Sequence, residues 1–364
     1  MAVPLFDTAT PLEPIRGQIR DAIERVVDGG RFILGPEVSA FEEEFASACG
    51  VEHAVGVANG TDALEIALRG LGVGPGDEVV VPSFTFFASA EAIPPTGARP
   101  VFCDVDPDTG CVTAETVKAA LTPKTKAVIA VDLFGNPAPI PMIAELGLPV
   151  LEDAAQAAGA TLDGRPAGSL GSAATFSFFP SKNLGAFGDG GAIVSDDQAV
   201  AERARTLRFH GSRDKRSFEE IGRNSRLDEL QAAILRVELP LVGSWAEGRR
   251  AAANYYLEAG LADLVKPIET VTGAQPAWHL FVVCHERADE IAAGLVDLGI
   301  EARGYYRTPV HRQPAMREWT QGVDLPATDE LARTNLALPI SPVLTQSQAG
   351  EVVAALRAVI DGLA

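Results

Sequence analysis

At 364 residues the chain is too long for one ordinary core, and two domains are expected. Its net charge of −19 argues against nucleic acid as a partner, because neutralising phosphate needs basic surface. No apolar run approaches the roughly 20 residues of a membrane span, the start Met1-Ala2-Val3-Pro4-Leu5 lacks a basic leader, and four cysteines without a C-x-x-C pair fit free thiols in a reducing cytoplasm.

Ile15, Ile19, Ala22, Ile23 and Val26 recur at helical spacing and stop at Gly29-Gly30, so the first element is a helix. Pro36 opens a second helix with Val38, Phe41, Phe45 and Ala48 on one face, closed by Gly50. Ala54–Ala58 reads as a strand. Asn59-Gly60-Thr61-Asp62 then turns into a helix carrying Leu64, Ala67, Leu68 and Leu71. Further strands are expected at 78–82, 100–104, 127–132, 150–153, 174–178 and 192–194. Several are near-continuous apolar runs, which suits strands buried on both faces of a mainly parallel sheet between helix layers. Leu227, Leu230, Ile234, Val237 and Leu241 mark a long helix that Pro240 is expected to end. The expected division is therefore a large N-terminal unit, 1–240, and a smaller C-terminal α/β unit, 241–364.

Two features carry chemistry together. Lys182 lies between an aromatic strand and a glycine-rich turn, in Ser177-Phe178-Phe179-Pro180-Ser181-Lys182-Asn183-Leu184-Gly185. Upstream, the apolar run Leu148-Pro149-Val150-Leu151 stops at Glu152-Asp153-Ala154-Ala155-Gln156. A lysine flanked by glycines and a carboxylate ending a buried strand are what pyridoxal phosphate requires: the amine carries the cofactor as a Schiff base, and the carboxylate keeps the pyridine nitrogen protonated. Asp153 could instead be a turn residue. Ligands of open α/β sheets bind at such strand ends, however, and a partly desolvated carboxylate needs a cation. Gln156 is placed to bond the ring hydroxyl.

Gly60 and Thr61, at a strand-to-helix turn, suit a phosphate. The alternative is that Thr61 or Asp62 merely caps the helix. Ser177 adds a hydroxyl for the same phosphate, and Phe86 a ring to stack on a flat cofactor. No G-x-x-x-x-G-K-[ST] or G-x-G-x-x-G pattern supports a nucleotide-hydrolysing or dinucleotide reading. The five histidines lack metal-ligand spacing, and no metal is expected. Between Arg203 and Arg226 eight basic residues face three acidic ones, a positive segment that either steers an anion or is only a solvated face.

With these residues in hand, the chain resembles the DegT/DnrJ/EryC1/StrS family of sugar aminotransferases, which are fold-type I pyridoxal-phosphate enzymes. The motifs that carry the likeness are Ile33-Leu34-Gly35-Pro36-Glu37, Ala58–Leu64, Gly72–Val79, Glu152–Gln156, the Lys182 segment and Asn224-Ser225-Arg226-Leu227-Asp228-Glu229-Leu230-Gln231. The resemblance implies that Lys182 bonds the cofactor, Asp153 pairs with the ring nitrogen and Gln156 contacts the ring oxygen. Phe86 would stack on the ring, with Gly60, Thr61 and Ser177 on the phosphate. It also implies a homodimer in which Asn224 reaches the neighbouring subunit's cofactor phosphate.

Tyr306 and His311, in the loop Tyr305–His311, would line a sugar pocket, a packing role for His311 being the alternative; Arg213 would approach the substrate pyrophosphate. The implied reaction moves an amino group from an amino acid, L-glutamate, to a keto sugar nucleotide. Ser225-Arg226-Leu227-Asp228 leans towards 3-keto sugars. A 4-keto sugar nucleotide, an inosose, or a non-catalytic binding role are the alternatives. Ala158, Ser172 and Phe218 depart from the family's usual His, Asp and His.

Overall fold

In the computed structural model, which describes residues 3–363, the expected alternation of helix and strand builds a seven-stranded sheet with helices on both faces. The strands are β1 (His53–Val57), β2 (Glu78–Pro82), β3 (Arg99–Cys103), β4 (Thr125–Val131), β5 (Val150–Asp153), the two-residue pair β6 (Thr161–Leu162) and β7 (Arg165–Pro166), then β8 (Ala173–Ser177) and β9 (Gly191–Ser195). The large sheet has the order β1-β9-β8-β5-β4-β2-β3. It is parallel from β8 to β3, while β9 runs antiparallel to both its neighbours. β5 is thus the middle strand, and its last residue is Asp153.

The helices in chain order are α1 (Arg16–Gly29), α2 (Pro36–Cys49), α3 (Gly60–Gly70), α4 (Ala88–Glu91), α5 (Ala114–Ala120), α6 (Ile140–Ala144), α7 (Gln198–Leu207), α8 (Glu229–Glu238), α9 (Val242–Glu258), α10 (Ala288–Asp297), α11 (Pro326–Thr334) and α12 (Gln346–Leu363). Alternation along the strands decides which face each residue serves. Val55, Val57 and Ile193 join a core that includes α3 and α7, whereas Ala54, Ala192 and Val194 join a second core that includes Phe41 and Phe45 of α2. Glu229, buried at the start of α8, accepts from the backbone N–H groups of Gly35 (2.6 Å), Glu37 (2.9 Å) and Val38 (2.9 Å). A carboxylate 194 positions downstream of Gly35 thereby caps α2, because a helix N-terminus has orphan donors and a positive dipole end.

After α9 the chain forms a small antiparallel sheet of β10 (Lys266–Pro267), β12 (Phe281–Cys284) and β13 (Asn335–Leu338). The strand β11 (Ala274–Gln275) returns to pair with β6. A third core, including Tyr256, Phe281, Ile291 and Leu356, joins this sheet to α9, α10 and α12. Pro240 does not end the helical path. It sits in one 3-10 turn, Leu239–Leu241, and the helix resumes as α9. Proline at the start of a turn removes a donor that is orphaned there anyway, so it kinks the path without breaking it. Among the described residues no helix is long and apolar enough to cross a membrane, and no cluster of His, Cys, Asp or Glu could hold a metal.

Candidate active site

The site assembles at the C-terminal end of the central strand. β4 and β8 flank Asp153 in register at Val131 and Thr175, which leaves its carboxylate buried beneath the sheet edge. Ser89 Oγ donates to Asp153 Oδ2 at 2.7 Å, and the Ala155 N–H donates to Oδ1 at 3.2 Å. Ser89 is in turn 3.0 Å from Thr85 Oγ1. Burial pushes the Asp153 carboxyl up; Ser89, the Ala155 N–H and the Lys182 charge oppose it. Lys182 is half-buried, and burial brings its amine down to about 8 against the opposing pull of Asp153. A lysine with a substantial neutral fraction near neutrality is a usable nucleophile and proton carrier.

Gln156 is oriented from both ends. Its Oε1 accepts from the Phe134 N–H at 2.6 Å and its Nε2 donates to Tyr306 Oη at 2.9 Å. One amide hydrogen therefore stays available. Tyr306 is also 6.1 Å from the Phe86 ring. Phe86 is 57% exposed while Phe84 beside it is fully buried, so Phe86 offers a ring face at the site rather than to the core.

The phosphate end is a matter of backbone approach. Gly191 on β9 pairs with Val57 on one side and Ser177 on the other, which draws the β1–α3 turn against the end of β8. A Cβ on Gly60 would lie 2.8 Å from Ser177 Cβ, and one on Gly191 would lie 2.5 Å from the Asn59 carbonyl. The Asn59 side chain accepts from the Asp62 N–H and caps α3, so neither Thr61 nor Asp62 is the cap. Thr61 is left in the first turn of α3, where the orphan N–H groups bind an anion. Cradle, exposed ring, carboxylate and lysine fit pyridoxal phosphate, and the cradle of Gly60, Thr61 and Ser177 has the close backbone approach a phosphate needs.

The remaining expected residues are scattered. Asn224 is exposed and bridges Phe209 through its backbone. Arg213 is exposed, 3.9 Å from Glu202. His311 is buried; its Nδ1 is 2.6 Å from Ser83 Oγ, which also accepts from the His311 N–H, and its Nε2 faces Asp329 at 3.9 Å. That geometry gives His311 a packing role, tying the 305–312 loop to the end of β2. Much of the basic segment is neutralised within the chain: Arg203 and Arg69 pair with Glu220, Arg208 with Glu42, and Arg223 with Glu65 and Asp62. Ser89 and Gly191 carry positions that the sequence reading did not assign. Only the tertiary neighbour of each reveals it.

A cavity of about 420 Å³ adjoins Lys182 and reaches Phe6, Asn183, Glu238, Trp245 and Arg249.

The sequence model of the DegT/DnrJ/EryC1/StrS aminotransferase family matches residues 14–357. The chain is 48% identical, over 98% of its length and 95% of the relative's, to dTDP-3-amino-3,4,6-trideoxy-alpha-D-glucose transaminase of Streptomyces venezuelae. Its fold superposes with a TM-score of 0.95, at 46% identity and 99% coverage of both chains, on S. venezuelae DesV in complex with a ketimine intermediate. A second solved structure, NtdA of Bacillus subtilis with bound PMP cofactor, matches at 28% identity and a TM-score of 0.88, over 96% of this chain and 82% of that one.

Proposed function

This chain belongs to the DegT/DnrJ/EryC1/StrS aminotransferase family, and from that membership and the site's geometry we propose that it transfers an amino group from L-glutamate to carbon 3 of a keto deoxyhexose carried on a nucleoside diphosphate. It is a pyridoxal-phosphate-dependent aminotransferase. The observation that carries the reading is a buried Asp153, ending the middle strand, within electrostatic reach of the half-buried Lys182. The 3-amino sugar in the name of the 48% identical relative supports the position of the keto group.

When bound, pyridoxal phosphate supplies an electrophilic carbon and a ring that takes up an electron pair. Asp153, oriented by Ser89, holds the proton on the ring nitrogen. Gln156 donates to the ring oxygen, and Phe86 covers the ring's open face. Gly60, Thr61 and Ser177 hold the phosphate without bringing in a formal positive charge. Lys182 Nζ would hold the cofactor through its carbonyl carbon and, once free, would serve as the base that carries a proton during amino transfer.

The reading includes a cytoplasmic homodimer with Asn224 on the neighbouring subunit's phosphate, and Arg213 and Tyr306 towards the acceptor. It also divides the chain into units 1–240 and 241–364, since the third core draws chiefly on residues beyond α8.

The test is direct. Holoenzyme should absorb at about 400–430 nm, lose that band with L-glutamate, and carry the borohydride-trapped cofactor on Lys182. Mass spectrometry over a panel of keto sugar nucleotides should then find the 3-amino product. Label on another lysine, or amination only of a 4-keto acceptor, would overturn the assignment.

A further inference from the structure

Two acids lie buried behind the site with no cation to balance them. Glu152, within β5, and Asp132, just past β4, are both fully buried. Ala130 stands opposite Glu152, so Asp132, two residues on, presents its side chain on the same face, and the two carboxyls bond each other. Among the described residues neither takes part in an ion pair. Facing them are Asp153 and the Cys111 thiol near Asp132, and the Cys49 thiol near Glu152. Burial, first, holds both thiols well above their usual range, so none of these groups offsets a second negative charge.

Two adjacent carboxylates in such a place cannot both ionise, and their hydrogen bonds decide which one keeps the proton. Glu152 accepts from the N–H groups of Gly168 (2.6 Å), Leu170 (3.0 Å) and Gly171 (3.3 Å). That leaves about one of a carboxylate's roughly four acceptor positions for a further donor. Asp132 Oδ1 accepts from the Ala138 N–H at 2.9 Å, whereas its buried Oδ2 meets no donor. A proton on Asp132 satisfies both acids at once. Burial, first, and the Glu152 charge push the Asp132 carboxyl well up, in agreement.

What this bond secures is the turn that aims Gln156. The Asp132 N–H donates to the Asp153 carbonyl at 3.1 Å, and the Asp132 carbonyl accepts from the Gly135 N–H at 3.1 Å. Within the turn Phe134 and Gly135 have φ of 60° and 90°, a left-handed pair that a phenylalanine adopts only where its surroundings fix it. The Phe134 N–H is the donor that holds Gln156 Oε1 at 2.6 Å. Resting on the aminotransferase reading above, we propose that Asp132 is a positioning residue: by sharing one proton with Glu152 it locks the 132–138 turn, so that Phe134 holds the Gln156 amide towards the cofactor's ring oxygen.

Infrared difference spectroscopy of the holoenzyme tests the proton. Wild type minus Asp132→Asn should show, at neutral pH, the C=O stretch of a protonated carboxylic acid; Glu238, brought up to about 8 by burial, is neutral in both proteins and cancels. Hydrogen exchange followed by mass spectrometry tests the turn. Asp132→Ala should speed exchange across residues 132–138 about tenfold, on the order of one lost hydrogen bond. Asp132→Asn, whose amide makes the same two contacts without a titratable proton, should restore it, and Asp132→Val stands in for alanine if that variant does not fold. Above the ordinary carboxyl range the folded acid keeps a proton that the unfolded chain has released, so the Tm of wild type should fall relative to Asp132→Asn as pH rises. A difference spectrum without the acid band, exchange in Asp132→Asn as fast as in Asp132→Ala, or a Tm offset that ignores pH overturns the proposal. In the holoenzyme Asp132→Ala should move the cofactor's absorption band as Gln156→Ala does, and the double variant should move it no further. A band moved by Gln156→Ala but not by Asp132→Ala also overturns it. A band that Gln156→Ala itself leaves in place would instead sink the reading of Gln156 as a ring contact, with the exchange results still standing.

Discussion

Asp153 shows how one carboxylate is made to serve a cation. It is buried at a strand end, which by itself favours the neutral acid, and two donors, Ser89 Oγ and the Ala155 N–H, shift the balance back. In the proposed role a protonated ring nitrogen would complete it. Asp153→Asn preserves shape and removes charge, so turnover should fall by roughly 10²–10⁴ while the circular dichroism spectrum stays native; near-normal turnover would remove the assigned role. The same substitution has a signed effect on Lys182. Only the neutral amine attacks, so uptake of pyridoxal phosphate by the apoprotein should accelerate as pH rises through about 8, well below an ordinary lysine. Asp153 is the group that favours the ammonium form, so in Asp153→Asn the inflection should move to lower pH. A shift upward would contradict the coupling.

At the scale of elements, the cradle depends on how close three segments come. β9 lies between β1 and β8, and Gly191 and Gly60 let the backbones meet where any side chain would intrude. Gly60→Ala places a Cβ 2.8 Å from Ser177 Cβ, inside normal contact, and should displace the first turn of α3 from the phosphate position. Pyridoxal phosphate affinity, measured by fluorescence titration of the apoprotein, should drop about tenfold or more, on the order of one lost charge-assisted bond. Ser177→Gly in the same chain removes the clash and should recover part of the loss. No recovery would mean that the defect lies elsewhere in the turn.

For the whole molecule, the single chain leaves large apolar side chains uncovered around the lysine segment and the basic loop. Phe179 and Phe187 are each about half exposed, Phe218 is 60% exposed and Ile221 is 86% exposed. Apolar groups of this size in the open signal a partner, and a second copy is the occupant of the proposed dimer. Intrachain pairing takes up much of the basic segment, yet no ion pair involves Arg216 or Arg226 among the described residues. If Asn224 serves the partner's site, mixing inactive Lys182→Ala and Asn224→Ala proteins should restore activity. Random exchange would give about a quarter of wild-type turnover, since mixed dimers hold one intact site. Exchange without recovered activity would place Asn224 in its own chain's site.

The periodicities and punctuating residues of the sequence determined the elements of the large sheet, because strands buried on both faces read as apolar runs and helices end where Gly30 and Gly50 take up positive φ. Lys182 and Asp153 were legible for a local reason: each ends an apolar run with a charge that burial makes expensive. The tertiary structure decided what depends on distant neighbours. Ser89 is an unremarkable helical serine until α4 brings it to the end of β5. Glu229 is one acid of a helix until Gly35 stands against it. His311 could have lined a pocket until Ser83 fixed its ring. Asp132 reads as one acid at the end of an apolar strand. Only the fold brings it against Glu152 without a cation, because pairing in space is not encoded in spacing along the chain.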